Sequence, residues 1–119
     1  MQREIKFRVY DKISKKMYRW LHINSIPLRD FDLEHYELMQ YIGFTDKNKK
    51  QIYEGDIVEF YNGIVNIDKE IGIVDTTNFM AFLNTNTEAG DYLCNYDSDE
   101  LEVLGNIYEN TELLKNLQF

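Results

Sequence analysis

The sequence predicts a mainly β protein: a small barrel or sandwich with an SH3-like core, an N-terminal β-hairpin and a short C-terminal helix. Short segments that alternate apolar and polar residues recur along the chain, separated by Gly, Asn, Thr and Asp. Many short strands with little helical periodicity are typical of all-β sandwiches and barrels. The chain has 119 residues, of which 44% are hydrophobic and 14% aromatic, so we expect a single domain with one core over residues 1–119.

The hairpin comes first in the chain. In REIKFRVYD, Lys6 and Arg8 alternate with Phe7 and the other apolar side chains, which predicts a strand with one basic face. After a lysine-rich turn, MYRWLHI resumes with apolar and aromatic residues as the partner strand. We therefore predict a hairpin whose outer face is basic.

A long connection, a strand and a turn follow. Residues 24–35 hold the only proline, and we expect the longest connection there. YELMQYIGF then alternates as a strand that places Tyr41 and Ile42 on opposite faces. TDKNKKQ is a turn, since its Asp and Asn side chains can bond their own backbone.

Two turns flank the next predicted strand, residues 56–61. Gly55 gives the backbone freedom at the bend that leads into this strand, and we expect Asp56 to accept backbone N–H groups there. Asn62 and Gly63 then form the strongest local hairpin signal, because a type I′ turn needs positive φ at both positions. We assign these four turn residues a structural role.

Four further strands and a terminal helix complete the predicted fold. The strands are GIVD at residues 72–75, NFMAFL at 78–83, DYLCNY at 91–96 and LEVLGNIY at 101–108. In NTELLKNL the leucines share one side of a helix, with Asn110 as the N-cap and Glu112 near the positive end of the helix dipole.

Charge is unevenly distributed along the chain. The net charge is −8, yet residues 1–19 carry seven Lys or Arg against two acids, whereas residues 70–114 carry ten acids and no Lys or Arg. Either the two regions pair inside one fold, or a basic surface of one subunit meets an acidic surface of the next, head to tail. The residues that we assign to this partner surface are Arg8, Lys15, Lys16 and Arg19 on the basic side and Asp97, Asp99, Glu100 and Glu102 on the acidic side.

Little in the sequence predicts catalysis, so we expect no enzyme and no cofactor. Cys94 is the only cysteine, and we interpret it as a small buried strand residue rather than a nucleophile. His22 and His35 lack the spacing of a zinc site. Glu54 and Asp56 are interpreted as a solvated carboxylate and a turn residue, not as an acid–base pair.

The acidic segment 88–102 includes a pattern that resembles part of a calcium loop. Asn95, Asp97 and Asp99 stand at alternate positions, as the first ligands of such a loop do. Glu100 then occupies the place where the loop requires Gly, and the bidentate Glu at the last position is missing. We therefore interpret the segment as an exposed acidic turn without a specific metal.

Location and alternative partners can also be predicted. No apolar stretch is long enough to cross a bilayer, the N-terminus has no apolar export signal, and cysteine is scarce, so we expect a cytoplasmic protein without a membrane partner. Tyr10, Tyr18 and Trp20 interleave with the basic residues of the hairpin, as in proteins that bind single-stranded nucleic acid. The net charge of −8 opposes that alternative. A second alternative is an acidic DNA mimic that binds a host factor.

Three blocks of the sequence are REIKFRVYDKISKKMY, LMQYIGFTDKNKKQIYEGDIVEF and EVLGNIYENTELL. In their residues, order and spacing they resemble the YopX family of bacteriophage and prophage proteins. Family members usually have Gly where this chain has Lys49, so the turn is either wider or uses Asn48 in the left-handed conformation. The resemblance implies a mostly β, phage-encoded protein of the host cytoplasm, with no established activity and no catalytic residue. We therefore predict a non-enzymatic interaction module, one that forms a homo-oligomer or binds a host or phage protein.

Overall fold

The computed structural model describes residues 5–27, 29, 31, 32, 34–61, 69–77, 80–84 and 91–115. Within these residues the strands are β1 Phe7–Asp11, β2 Lys16–Tyr18, β3 Tyr36–Thr45, β4 Gln51–Tyr53, β5 Asp56–Tyr61, β6 Lys69–Thr77, β7 Met80–Asn84, β8 Asp91–Tyr92 and β9 Leu101–Asn106. One short helix, α1, spans Trp20–Ile23, and 3-10 turns span Leu93–Asn95, Ser98–Glu100 and Thr111–Leu114. The prediction of a mainly β fold is confirmed.

The strands form two sheets of antiparallel neighbours. The first sheet has the order β2-β1-β3-β4 and the second β8-β7-β6-β5-β9. Because β5 follows β4 after two residues, the Glu54-Gly55 step carries the chain from one sheet to the other. The core lies between the sheets, where apolar side chains of both are buried together: Ile42, Ile52, Val58, Phe60, Val74, Leu93 and Leu101.

The second half of the predicted N-terminal hairpin is a strand for three residues only. β1 pairs with β2 from Val9–Tyr18 to Asp11–Lys16, and then the chain turns into α1. Trp20 and Ile23 are three residues apart, so one helical turn brings both to the same side. Ile23 is 3% exposed there, and the ring of Trp20 packs against the ring of Phe7 in β1. The strand predicted over MYRWLHI is therefore wrong after Tyr18.

A bulge interrupts the alternation of β3. The pairing of β3 with β4 shifts register between Tyr41 and Thr45, and Gly43 has a φ of 89°, in the region that glycine adopts most readily. Tyr41 and Ile42 are consecutive, yet 8% and 3% exposed. Ile42 belongs to the core between the sheets, whereas the Tyr41 ring contacts Lys6 and Tyr53, so the two side chains have different neighbours and both are covered.

The turn between β3 and β4 (the 46–50 turn) is narrow and uses Lys49 in the left-handed conformation. Lys49 has a φ of 62°, and its N–H donates to the carbonyl of Asp46 at 3.0 Å. The expectation of a wider turn, or of Asn48 in the left-handed position, is therefore wrong. An Asn or Gly would adopt this conformation at lower cost, because the left-handed region brings the β-carbon of other residues close to the backbone.

Asp46 holds this turn against the second sheet. Its side chain is buried, and one carboxylate oxygen accepts the N–H groups of Asn48 and Lys50, each at 2.9 Å. The other oxygen accepts the N–H of Val103 in β9 at 2.9 Å. Burial alone raises the pKa of Asp46, but these three N–H groups favour the carboxylate, and the pKa lies below its ordinary value of 3.8.

Asp46→Asn is expected to lower the free energy of unfolding at neutral pH by about 1–3 kcal/mol, because an amide replaces one acceptor oxygen by a donor that faces N–H groups. The folded-state pKa of Asp46 lies below the unfolded-state value, so its charge stabilises the fold above the unfolded value. That contribution is lost as the pH falls through the folded-state pKa. Urea unfolding between about pH 5 and pH 2 should therefore show the wild type approaching the variant. A constant difference in stability over this range would contradict the prediction.

The C-terminal part of the described chain ends in a 3-10 turn. The predicted short helix is Thr111–Leu114, one turn long. Asn110 does not cap it through its side chain; its Oδ1 accepts the N–H of Asn106 at 3.0 Å instead. Among the described residues no helix is long and apolar enough to span a membrane. The Asn62-Gly63 turn and the returning strand predicted after it lie in residues 62–68, outside the described residues.

Candidate functional site

A buried ion pair joins the two sheets. Arg8 Nη2 of β1 donates to Asp56 Oδ1 of β5 at 2.6 Å, and the two side chains are 12% and 1% exposed. Asp56 Oδ2 accepts the N–H of Tyr53 at 2.8 Å, the kind of backbone contact expected from the sequence. Burial raises the pKa of Asp56, and the charge of Arg8 with the Tyr53 N–H group offsets part of this rise.

The basic face of β1 is covered, which corrects the predicted position of Arg8 on an exposed outer face. The Arg8 guanidinium lies 4.8 Å from the ring centroid of Tyr53, and Lys6 Nζ lies 4.8 Å from that of Tyr41. Lys6 is only 8% exposed. Arg8 also donates to the carbonyl of Glu54 at 3.3 Å, so the connection from β4 to β5 contacts its guanidinium. Arg8 Nε is buried and has no hydrogen-bond partner among the described residues.

Gly55 makes the close passage between the sheets possible. Its φ is 83°, its N–H donates to the carbonyl of Val74 and its carbonyl accepts the N–H of Ile107, both at 2.9 Å. A β-carbon at this position would lie 3.1 Å from the sulfur of Met39. The neighbouring Glu54 is not the solvated carboxylate predicted: its oxygens accept the N–H of Gln40 in β3 and the hydroxyl of Thr76 in β6.

A groove of about 670 Å³ opens beside the Arg8–Asp56 pair; we call it the basic groove. Its lining carries four cations and one acid. The cations are Lys6, Arg8, Arg19 and Lys50, and the acid is Glu109. They come from β1 and the residue before it, the residue before α1, the 46–50 turn and the residues after β9, so folding brings together charges that are far apart in sequence.

Aromatic and amide side chains complete the basic groove. Trp20 is half-buried, with its ring centroid 6.3 Å from that of Phe7, and Tyr53 is half-buried beneath the Arg8 guanidinium. Three amides also line the groove: Asn24, Gln51 and Asn106. Clustered cations with amide donors bind carboxylates or phosphates through charge-assisted hydrogen bonds, and the groove has the volume of a typical ligand site.

Comparison with known proteins establishes the family. The model of the YopX protein family matches residues 6–115. The chain belongs to the YopX family. The fold is similar to the crystal structure of protein EF1440 from Enterococcus faecalis, with a TM-score of 0.66 and 23% sequence identity over 96% of this chain and 100% of that chain. At this identity the likeness shows the fold alone. No curated protein sequence matches the chain.

The acidic residues of the predicted partner surface lie at the start of β9 in this YopX-family protein. Asp97, Asp99 and Glu100 are exposed around the 3-10 turn Ser98–Glu100, and we call these three residues the acidic turn. Glu100 accepts the N–H of Asp97 at 3.0 Å, so part of this carboxylate closes the turn. Glu102 differs from the other three, because it pairs with Lys47 at 2.5 Å.

The basic residues of the predicted partner surface are divided between two places. Arg8 and Arg19 line the basic groove, whereas Lys15 and Lys16 line a neighbouring apolar groove. Lys15 closes the β1–β2 loop with a φ of 58°, and both lysines are exposed. Two ion pairs of the N-terminal region are described, Arg8–Asp56 and Lys12–Glu37. Neither acid belongs to the acidic stretch 70–114, so these two pairs do not join the basic N-terminal region to that stretch.

Cys94 and His35, which the sequence analysis considered for catalysis or metal binding, lie outside the basic groove. The backbone of Cys94 lies in the 3-10 turn Leu93–Asn95, not in a strand, and the predicted burial of its side chain lies outside the described structure. Among the described residues, Asp32, Glu34 and His35 come close enough together to hold a metal ion. All three are exposed, and Asp32 already accepts the Glu34 N–H at 2.9 Å and contacts His35 Nδ1 at 2.8 Å. This arrangement closes the turn before β3.

Sequence reasoning did not place Lys50, Gln51, Tyr53, Asn106 or Glu109 in a site. Lys50 was part of a turn, and Asn106 lay within a predicted strand. Their convergence depends on how the two sheets meet, which alternation within single strands does not encode. The one available signal was the Lys6–Arg8 alternation with Trp20 nearby, which predicted an exposed basic face rather than a groove.

Proposed function

We propose that this YopX-family protein is a non-enzymatic protein–protein interaction module whose basic groove receives the acidic surface of a partner. The observation that supports this most directly is the convergence of Lys6, Arg8, Arg19 and Lys50 in one groove of a chain whose net charge is −8. Arg8 is already paired with Asp56, whereas Arg19 and Lys50 are exposed at the groove and can pair with carboxylates that enter it. Arg8 and Lys6 are held by packing against tyrosine rings, so ordering them on binding costs little.

The first partner that we propose is a second copy of the chain, which makes the protein a homo-oligomer. Its acidic turn presents exposed carboxylates, and Asp99 and Glu100 line a small cavity other than the basic groove. Contact between the acidic turn and the basic groove would be head to tail, because each copy offers one surface of each kind. The other source of carboxylates is an unrelated phage or host protein. The solution mass of this protein alone distinguishes the two: it is an oligomer if the partner is a second copy, and a monomer if the partner is a different protein.

Light scattering at low and high salt tests self-association. We expect an oligomer at low salt that dissociates as salt rises, since the contact joins opposite charges near the surface. Lys50→Glu should weaken association by about five- to tenfold, whereas Lys49→Glu, the same charge change one residue outside the groove, should not. A monomer under all conditions would overturn the homo-oligomer and leave another protein as the partner.

Binding itself can be followed through Trp20, the only tryptophan of the chain, which lies in the basic groove. Titration with a tryptophan-free Glu/Asp peptide should change Trp20 fluorescence, and Lys50→Glu should weaken the response while Lys49→Glu preserves it. No response to the acidic peptide, together with a monomeric wild type, would overturn the proposed function.

Single-stranded nucleic acid is the second candidate partner. The observation that favours it is Trp20 in the same groove as the four cations, since base stacking and phosphate contacts are combined in this way by single-strand binders. Tyr10, which the sequence placed in such a surface, is 8% exposed and stacks on Tyr108 at 4.7 Å, so it does not contribute. A thymidine oligonucleotide that quenches Trp20 more strongly than the acidic peptide would select this candidate.

We further propose a phage or prophage origin and a cytoplasmic location, both of which the YopX resemblance implies. The acidic turn remains a second surface for interaction. As a DNA mimic it would occupy the DNA site of a host factor. Reversing a charge on the acidic turn, as in Asp99→Lys, would then abolish binding to the host factor, whereas Lys50→Glu, which changes the basic groove, would not.

A further inference from the structure

An apolar groove of about 740 Å³ adjoins the basic groove. Met17 and Glu109 line both grooves, so the two form one continuous depression across β2 and α1. The apolar groove has a buried floor and half-buried walls. Ile23 on its floor is 3% exposed and Ile26 at its mouth is 41% exposed. Its walls carry half-buried aromatic rings, those of Tyr18, Phe31 and Tyr36.

Charge complements this apolar surface. Lys15 and Lys16 are exposed at its rim, and the cations of the basic groove lie beyond Met17. An apolar groove rimmed by lysines favours a partner segment that is both acidic and apolar. Phosphate-linked nucleic acid matches the cations but leaves the aliphatic side chains of Ile23 and Ile26 without an apolar contact.

We propose that the partner is an extended protein segment in which carboxylates occupy the basic groove and a leucine or aromatic side chain anchors in the apolar groove. This rests on the proposed function and specifies its partner. The acidic turn of a second copy consists of Asp97, Asp99 and Glu100 around a serine, so it fills the basic groove alone. The complete depression is therefore a site for a different protein, one that would displace a second copy from the basic groove.

Glu109 adds a specificity element. It lies at the junction of the two grooves, exposed, with Oε1 accepting the Asn106 amide at 3.0 Å. A carboxylate of the partner at this point would meet a like charge. The segment therefore carries an uncharged residue between its acidic part and its anchor.

Two synthetic peptides test the anchor. They are Glu-Asp-Glu-Asp-Gly-Leu-Leu and Glu-Asp-Glu-Asp-Gly-Ala-Ala, each titrated against Trp20 fluorescence of the full chain. The leucine peptide should bind at least about tenfold more tightly, because its apolar side chains leave water. Ile26→Glu should abolish this preference while leaving the affinity for the alanine peptide within about twofold. Ile13→Glu is the matched control: Ile13 is 71% exposed and lines neither groove, so the preference should persist.

The outcomes separate the two proposals. Equal affinities for the leucine and alanine peptides, both weakened by Lys50→Glu, would overturn the apolar anchor and leave the acidic-partner function standing. Binding of neither peptide would overturn both proposals, and a response to a thymidine oligonucleotide alone would identify the groove as a nucleic-acid site. A leucine preference lost in Ile26→Glu and kept in Ile13→Glu supports the inference.

Discussion

Arg8→Met is expected to lower the free energy of unfolding by about 3–5 kcal/mol, because it leaves the buried Asp56 carboxylate without its cation. Asp56 is 1% exposed and would retain only the Tyr53 N–H group from the contacts described above. The loss should be largest at neutral pH. Its burial raises the pKa of Asp56, so the folded variant takes up a proton more readily than the unfolded chain, and the penalty shrinks as the pH falls toward 3.8.

A double-mutant cycle and an exposed pair provide the controls for this prediction. Arg8→Met combined with Asp56→Asn should be more stable than the sum of the single changes predicts, by at least about 1 kcal/mol, because the unpaired charge is gone. Lys12→Met breaks the Lys12–Glu37 pair, whose side chains are 37% and 40% exposed, and should cost less than about 1 kcal/mol. Equal urea midpoints for Arg8→Met and Lys12→Met would show that burial does not set the cost.

Gly55→Val is expected to destabilise the protein by about 2–5 kcal/mol, the sum of a left-handed backbone penalty and overpacking. The residue has a φ of 83°, and its β-carbon would come within 3.1 Å of the Met39 sulfur. The backbone cannot move away without losing its hydrogen bonds to Val74 and Ile107. Thermal or urea unfolding measures the loss.

Gly43→Val separates the two causes of this loss. Gly43 has a φ of 89° but is exposed in the bulge of β3, so valine there meets mainly the backbone penalty. We expect it to cost about 1–2 kcal/mol, less than the same change at Gly55. An unchanged melting curve for Gly55→Val would contradict the role assigned to Gly55.

Much of the fold could be predicted from alternation alone. The strand predicted over residues 56–61 is β5 with the same bounds, and the long connection before Tyr36 separates β2 and α1 from β3. The failures have specific causes. β4 has three residues, too few to show a period, and α1 has four. The bulge at Gly43 shifts the register in the middle of β3, and a single glycine in a strand pattern signals such a shift only weakly.

The site could be predicted only in part. Arg8 and Arg19 were assigned to a partner surface, and both line the basic groove. The depth of Arg8 could not be foreseen, since it depends on Asp56, which lies 48 residues away in sequence. Charge counts likewise placed Glu102 among free acids, whereas folding brings Lys47 to it at 2.5 Å. Pairing between distant segments decides which charges stay available, and local sequence does not record it.

The contacts of the 46–50 turn have a consequence for colloidal behaviour. β9 is the last strand of its sheet, a position that ordinarily offers unpaired backbone groups to a strand from another molecule. Here Leu101 C=O accepts the N–H of Lys47 and the Val103 N–H is bound by Asp46, so the turn occupies that edge. Changes that loosen the turn would open a template for intermolecular strand addition. Such variants are expected to aggregate at high protein concentration while their hydrophobic core is still folded.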